Sequence, residues 1–408
     1  MNSRERVTLT LSHREPDRVP VDYWAQPEVT ERLMRHLGAS NREQLLRRLD
    51  VDFRYIAGPR YIGPPPTVHP DGSVEDHFGV PRTSVSVGTG ESSGAYSEVA
   101  AFPMADMTLN EIRAYPKWPS ADWFDYDCVR EQVAAARAED KMVVFMGDRT
   151  NRAAQLKPAM YLRGIEQILV DMAVEPDIAR TLFDRIASFY LEYCRRTLEA
   201  AGGGIDIFMT GDDFGTQNGL LVSPGMWHDF LRPGFEALVR LGHRFGCRVA
   251  HHSCGSILPI IDEMIDCGLD ILNPIQPGVH DMDPATLKRR FGDRLTFHGS
   301  ISIQQTLPRG TAEDIRREVR DRFTALAPGG GFIYCTAHNI QPDTPVENIV
   351  TLFDAYREFG RYGGRGASAG LVRSGPRMKT AIFSRSSCER SSGRTMWTCL
   401  RGSRCRRG

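Results

Sequence analysis

The sequence predicts an α/β protein of the (β/α)8 barrel class, occupying residues 1–363 of a 408-residue chain. Two observations carry the prediction. Short apolar, β-branched runs recur eight times along the chain, and most of them are followed by a stretch with helical periodicity. A third observation agrees: polar residues collect just past the ends of the runs, where barrel enzymes build their sites.

The first run is Arg18–Trp24 (RVPVDYW) and the second Val51–Ala57 (VDFRYIA). Residues 58–141 then form a long excursion rich in Pro, Gly, Ser and aromatics, in which Gly63-Pro-Pro-Pro66 and Val87–Gly94 read as loop and short hairpin. Because it leaves a barrel strand on the side where sites form, it is expected to be a lid or pocket wall, with a functionless surface insertion as the alternative. The third run, Met142–Gly147, precedes helical stretches at Ala159–Ala173 and Asp177–Ala201. Ile205–Thr210 is followed by a helix over Pro224–Phe245, Arg248–His252 by Ile257–Cys267, and Leu269–Asn273 by Pro284–Phe291. Arg294–His298 leads to Ala312–Leu326, and the last run, Phe332–Cys335, to Thr344–Phe359. Ser223-Pro224 and the capping-box pattern Thr311–Asp314 mark two helix starts, while Gly202–Gly204 and Gly329–Gly331 separate helices from strands.

The formal charges cancel, 51 basic against 51 acidic, but not evenly. Residues 361–408 hold eleven Arg and one Lys against Glu389, a net +11, which leaves residues 1–360 at −11. An acidic body without a basic stripe argues against nucleic acid as a partner of residues 1–360. The stretch 364–408 has no sustained period and is dominated by Arg, Ser and Gly, so it is expected to be disordered. It reads as the product of a shifted reading frame, with an arginine-rich arm for acidic partners as the alternative. No run of about 18 apolar residues is present and the charged start lacks an apolar leader, so neither a membrane span nor secretion is expected and the location is read as cytoplasmic. Nine irregularly spaced cysteines do not resemble a disulfide framework and are read mostly as reduced thiols.

The chemistry is sought at the ends of the runs. The fourth ends in Gly211-Asp212-Asp213-Phe214-Gly215 and the fifth in His251-His252-Ser253-Cys254-Gly255. The sixth ends in Asn273-Pro274-Ile275-Gln276, the seventh in His298-Gly299-Ser300, and the eighth in Cys335-Thr336-Ala337-His338-Asn339. On extended backbone residues two apart share a side, so His252 and Cys254 present an imidazole and a thiolate to one ion, and Cys335 or His338 would complete a three-ligand catalytic zinc site. A satisfied mouth histidine is the bland alternative. Asp212 and Asp213 are candidate catalytic groups, orienting a ligand or moving a proton, against the plainer reading of turn-forming carboxylates. Tyr23, Gln276 and Asn339 are the substrate-binding candidates. His251 should face away from His252 and be packed, and His13, His36 and His243 should be solvated.

Together these segments resemble the uroporphyrinogen decarboxylase superfamily. The resemblance rests on Arg14-Glu-Pro-Asp-Arg-Val-Pro20, the acidic strand end before Leu221-Val-Ser-Pro224, and His252-Ser-Cys-Gly255. Asp270-Ile-Leu-Asn-Pro274, His338-Asn-Ile-Gln-Pro342 and Pro345-Val-Glu-Asn348 continue it, so that it spans essentially residues 1–360. It implies a barrel with its site at the C-terminal mouth, and two chemistries. True decarboxylases of porphyrinogens need no metal and hold substrate carboxylates with an arginine-rich N-terminal loop, where this chain has Val21-Asp-Tyr-Trp-Ala-Gln26. The other branch, cobalamin-dependent methyltransferases, carries H-x-C plus a later Cys that bind zinc. His252 and Cys254 match the pair, and the later Cys falls at His338, with Cys335 three residues before it.

The leading expectation is therefore a zinc-dependent methyltransferase exchanging a methyl group between a small-molecule substrate and a corrinoid (cobalamin) held by a partner protein. Uroporphyrinogen-type decarboxylation is the alternative, and a non-catalytic corrinoid or small-ligand binding protein the third reading. The oligomeric state stays open, a homodimer being one option.

Overall fold

The computed structural model describes residues 1–87, 94–146 and 152–363. Gly147, the tip of the hairpin expected at Val87–Gly94 and the tail expected at 364–408 lie outside the described residues.

Seven of the apolar runs form one parallel sheet: β1 (Phe53–Ile56), β2 (Met142–Phe145), β3 (Ile207–Gly211), β4 (Arg248–His252), β5 (Ile271–Asn273), β6 (Thr296–His298) and β7 (Phe332–Ile333), hydrogen-bonded in chain order. The order follows from the right-handed βα crossover, which sets each strand beside its predecessor. The remaining run, around Arg18–Trp24, is extended but is not a regular strand. Pro20 has no N–H to give, and the Val21 N–H donates to the Asp52 carboxylate (2.9 Å) in place of a ladder carbonyl. It still bridges both edges of the sheet. The Asp22 N–H donates to Tyr334 O (2.9 Å), the Tyr334 N–H to Pro20 O (2.8 Å) and the Asp52 N–H to Val21 O (2.9 Å). The eighth position of the barrel is thus an irregular seam between β7 and β1.

Alternation divides the apolar residues into two shells. Inside the barrel lie Phe53, Met142, Val144, Ile207, Met209, Ala250, Ile271 and Ile333, while their chain neighbours such as Val143, Phe208, Val249 and Phe332 face the helices. Helix Ser3–Leu11, which the pattern reading did not single out, places Val7 and Leu11 in the inner cluster and contacts β2 and β7. Beside it Asp52, fully buried, accepts from Ser3 Oγ (2.8 Å), Arg6 (2.7 Å) and Arg18 (2.8 Å), so this carboxylate is both desolvated and fully compensated.

The helices follow the expected positions with local departures. Gly164 (φ +97°) splits the first stretch into Leu156–Arg163 and Ile165–Val174, and a π-turn at Trp227–Leu231 interrupts the helix that begins at Pro224. Both predicted caps form: the Ser223 side chain accepts from the Met226 N–H, and Thr311 and Asp314 close a capping box. The excursion is shorter than 58–141, because Cys128–Arg137 packs on β1 and β2 as the barrel helix between them. The rest carries a three-stranded antiparallel sheet (Val74–Glu75, Pro81–Val87, Gly94–Val99) and the pair Arg60–Tyr61 with Phe124–Asp125. Its Tyr96 hydroxyl contacts Gln26 and donates to Gln341, so this sheet abuts the loop that follows β7. No helix among the described residues is long and apolar enough to cross a membrane.

Candidate metal centre

The two loops that meet at the mouth follow β3 and β4, and they touch backbone to backbone. Gly255 has φ +88°, and a Cβ there would come within 2.4 Å of the Gly215 carbonyl carbon. Only glycine permits that approach, and it brings the His252–Cys254 turn against the Asp213 loop. Further bonds hold the turn: the Cys254 N–H donates to Asp213 Oδ1 (2.9 Å) and the Gly255 N–H to Gln276 Oε1 (2.9 Å).

Strand parity decides which way each group points. Ile207, Met209 and Gly211 share the inward face of β3, and Asp213 continues it, whereas Asp212 belongs to the outward face with Phe208. The structure therefore separates the two carboxylates. Asp212, buried, accepts from the backbone N–H groups of Gln155 (2.7 Å), Leu156 (2.6 Å) and Lys157 (2.8 Å) at the start of helix Leu156–Arg163. Burial pushes its pKa up to about 6 against the pull of those three donors. The structure thus places Asp212, expected as a catalytic candidate, with its oxygens bonded to the helix terminus and not at the mouth.

Asp213 faces the mouth. It pairs with Lys157 Nζ at 2.5 Å and lies 3.6 Å from His252 Nε2. Burial opposes its ionisation, but the charge and hydrogen bond of Lys157 and the Cys254 N–H hold it well below the usual carboxylate range. Lys157 in turn is raised above its ordinary value, since Asp213 outweighs its own desolvation.

His252 is buried, and its Nδ1 lies 2.6 Å from Asn273 Oδ1. The Asn273 amide nitrogen donates to His298 O (3.2 Å), which sets the amide orientation, so Oδ1 accepts and the proton sits on Nδ1 of His252. Nε2 then carries a lone pair aimed at the mouth, 3.4 Å from Cys254 Sγ. Burial first, and Arg152 next, hold this imidazole well below its ordinary pKa, so it is neutral, the form a metal binds. Burial and Asp213 push the Cys254 thiol up. A cation at the site would reverse that.

The His338 ring meets His252 edge-on at 5.5 Å between centroids, and one donor atom from each of His252, Cys254 and His338 lies within 4.8 Å of the others. The other candidate third ligand, Cys335, is not in this group. It points into the barrel beside Asp22 and His298, because it lies two residues past Ile333 and continues that residue's inward face. Of the substrate-binding candidates, Tyr23 faces outward: its hydroxyl is 3.2 Å from Thr30 Oγ1 and its ring packs on Phe353, which corrects the expectation that it lines the site. The inward residues of that segment are Asp22 and Trp24, and Trp24 stacks on His252 at 5.9 Å. Gln276 is committed to the turn, and Asn339 is half-buried on the loop with His338. His251 packs face to face on Phe214 at 5.3 Å, with its Nδ1 2.7 Å from Thr210 Oγ1, as its parity requires. His243 bonds Asp270 at the surface, and His36 is exposed. His13 is half-buried, not solvated, and burial lowers its pKa.

The sequence reading missed Trp24, Asn273 as the tie on His252, and the cations Lys157 and Arg152. Alternation through Val21–Trp24 contains the signal for the first. The cations enter from the segment after β2, far from the strand-end motifs, and no local pattern announces them.

Comparison with known proteins places this chain in a family. The uroporphyrinogen decarboxylase (URO-D) family model matches residues 130–359, more than half of the chain. A uroporphyrinogen decarboxylase of Coxiella burnetii (strain Dugway 5J108-111) is 22% identical over 240 residues, covering 57% of this chain and 62% of the relative. The methylcobamide:CoM methyltransferase MtaA of Methanosarcina barkeri is 28% identical over 187 residues, covering 45% of this chain and 50% of the relative. The chain thus spans about half to three-fifths of the length of these relatives. A solved methyltransferase from Methanosarcina mazei shares the fold, with a TM-score of 0.60 and 19% identity over 88% of this chain and 99% of that one. With a family match over more than half its length, the chain belongs to the uroporphyrinogen decarboxylase family.

Proposed function

We propose that this protein is a zinc-dependent methyltransferase that exchanges a methyl group between a small substrate and a corrinoid carried by a partner protein. The observation that carries the reading is the donor set at the mouth: a neutral imidazole with its Nε2 lone pair preset by Asn273, a thiol 3.4 Å from it, and His338 within reach of both. Nitrogen and sulfur donors in a three-residue set suit zinc with an open position. Zinc held there supplies a Lewis acid that makes a substrate thiol or hydroxyl a better nucleophile at neutral pH.

The chain's own groups define the rest. Asn273 fixes the His252 tautomer, Trp24 supports the ring from below, and Gln276 and Asp213 hold the Cys254 turn. Asp213 is kept ionised by Lys157, which makes it a charge partner for a cationic centre and a poor general base. The excursion sheet, through Tyr96, walls one side near Gln341. Cys254→Ser is expected to abolish methyl transfer between methylcobamide and a thiol acceptor while leaving the circular dichroism unchanged. Full activity in that variant would sink the proposal.

A second reading has its own support. Arg152 and the Asp213-paired Lys157 bring positive charge to the mouth, which would attract a substrate carboxylate. Metal-independent turnover of uroporphyrinogen would favour decarboxylation.

A further inference from the structure

Beneath the mouth, a second group of ligand-type side chains lies inside the barrel and takes no part in the reading above. Asp22 comes from the seam, His298 from the end of β6 and Cys335 from the residues just past β7. All three are buried, and one donor atom from each lies within 4.8 Å of the others.

Packing leaves two features of this group unexplained. Asp22 Oδ2 accepts from the Tyr55 hydroxyl (2.6 Å) and Trp24 Nε1 (3.1 Å), and Oδ1 from the Tyr23 N–H (2.7 Å). All three donors are neutral, so they orient a carboxyl group that is 2% exposed without bringing it a charge. His298 Nε2 is buried and makes no hydrogen bond, although it lies 3.2 Å from Asp22 Oδ2. A buried ring nitrogen without a hydrogen bond, beside a buried carboxylate and a thiol, is a donor set that a cation would satisfy.

We propose that Asp22, His298 and Cys335 form a second, buried site for a divalent cation of the zinc class. The charges balance: a carboxylate and a thiolate neutralise a divalent ion, and the imidazole contributes a neutral donor. Oxygen, nitrogen and sulfur donors in one set favour zinc over calcium or magnesium. Tyr55, Trp24 and the Tyr23 N–H already orient the carboxylate, as partners of metal-bound carboxylates do. Without the ion, burial and Asp22 keep the Cys335 thiol protonated. The position gives the site its role. Its ligands come from the seam, β6 and the end of β7, so the ion ties the irregular eighth position of the barrel to its neighbours.

The site stands independently of the mouth centre, and a single set of measurements separates the two. Full-length protein loaded with zinc is expected to hold about two ions per chain, Cys254→Ser about one and Cys335→Ala about one. Cys335→Ala should also lower the melting temperature, and by more than Cys254→Ser does. One ion retained in Cys254→Ser and lost in Cys335→Ala would support the buried site while removing the mouth centre. At most one ion per chain, unaffected by Cys335→Ala, would overturn the buried site and leave only the 3.2 Å Asp22–His298 contact. Should the Cys335 variant fail to fold, zinc-edge anomalous scattering from wild-type crystals decides. A peak among Asp22, His298 and Cys335 supports the proposal, and its absence there overturns it.

Discussion

Two adjacent aspartates, Asp212 and Asp213, have opposite fates because an extended chain alternates. Asp212 closes the N-terminus of helix Leu156–Arg163 with three backbone N–H bonds, and Asp213 reaches the mouth. Asp212→Ala strands those donors and is expected to cost roughly 3 kcal/mol or more of stability in urea denaturation. Asp213→Asn loses a pair with a half-exposed lysine, so its stability cost should stay within about 1 kcal/mol while zinc affinity falls. Equal destabilisation by both would contradict the assignment. Asn273 offers a parallel case. Asn273→Ala releases Nδ1 of His252 and should weaken zinc about 10–100-fold in competition with a chelator. At this scale the sequence was legible through the H-x-C spacing and the position of His338, and parity also separates His251 from His252. What it did not contain was the partner of each group. Asn273 and Lys157 approach His252 and Asp213 only through folding.

At the scale of elements, β4 carries both a site residue and a structural histidine. His251 sits between Phe214 and Phe235, and burial pulls its pKa down to about 3. The folded state thus refuses a proton that the unfolded chain accepts near 6.5. Its contribution to stability is complete above that value and is lost as the pH falls toward 3. In metal-free protein, His251→Phe should flatten the acid limb of stability against pH by about 1.4 kcal/mol per pH unit, the weight of one proton. An unchanged slope would show that His251 is not the group responsible. The strands were readable from apolar runs because both of their faces are covered, by the inner cluster and by the helices. The seam was read as a strand because its composition is that of one, but Pro20 and the Asp52 carboxylate take its backbone out of register. Cys128–Arg137 was absorbed into the excursion for a related reason: its short apolar face, Val129 and Val133, is too brief to stand out between loops.

At the scale of the whole molecule, the barrel is closed by side chains and isolated bridges as much as by ladders. Asp52 anchors the seam at one end and Asp22 at the other. Zinc held at the proposed mouth centre would join groups from the ends of β4 and β7, adding a tie between the loops that carry Cys254 and His338. The overall architecture was evident from eight recurring runs, while the approach of the excursion's Tyr96 to Gln341 depends on contacts between segments 245 residues apart. The most direct test of the account is the methyl-transfer rate of zinc-stripped protein as zinc is restored. We expect almost no rate in the stripped wild type, a rise to saturation as zinc is added, and no recovery in Cys254→Ser. A rate that survives stripping, or that returns equally in Cys254→Ser, would contradict a metal centre built on His252, Cys254 and His338.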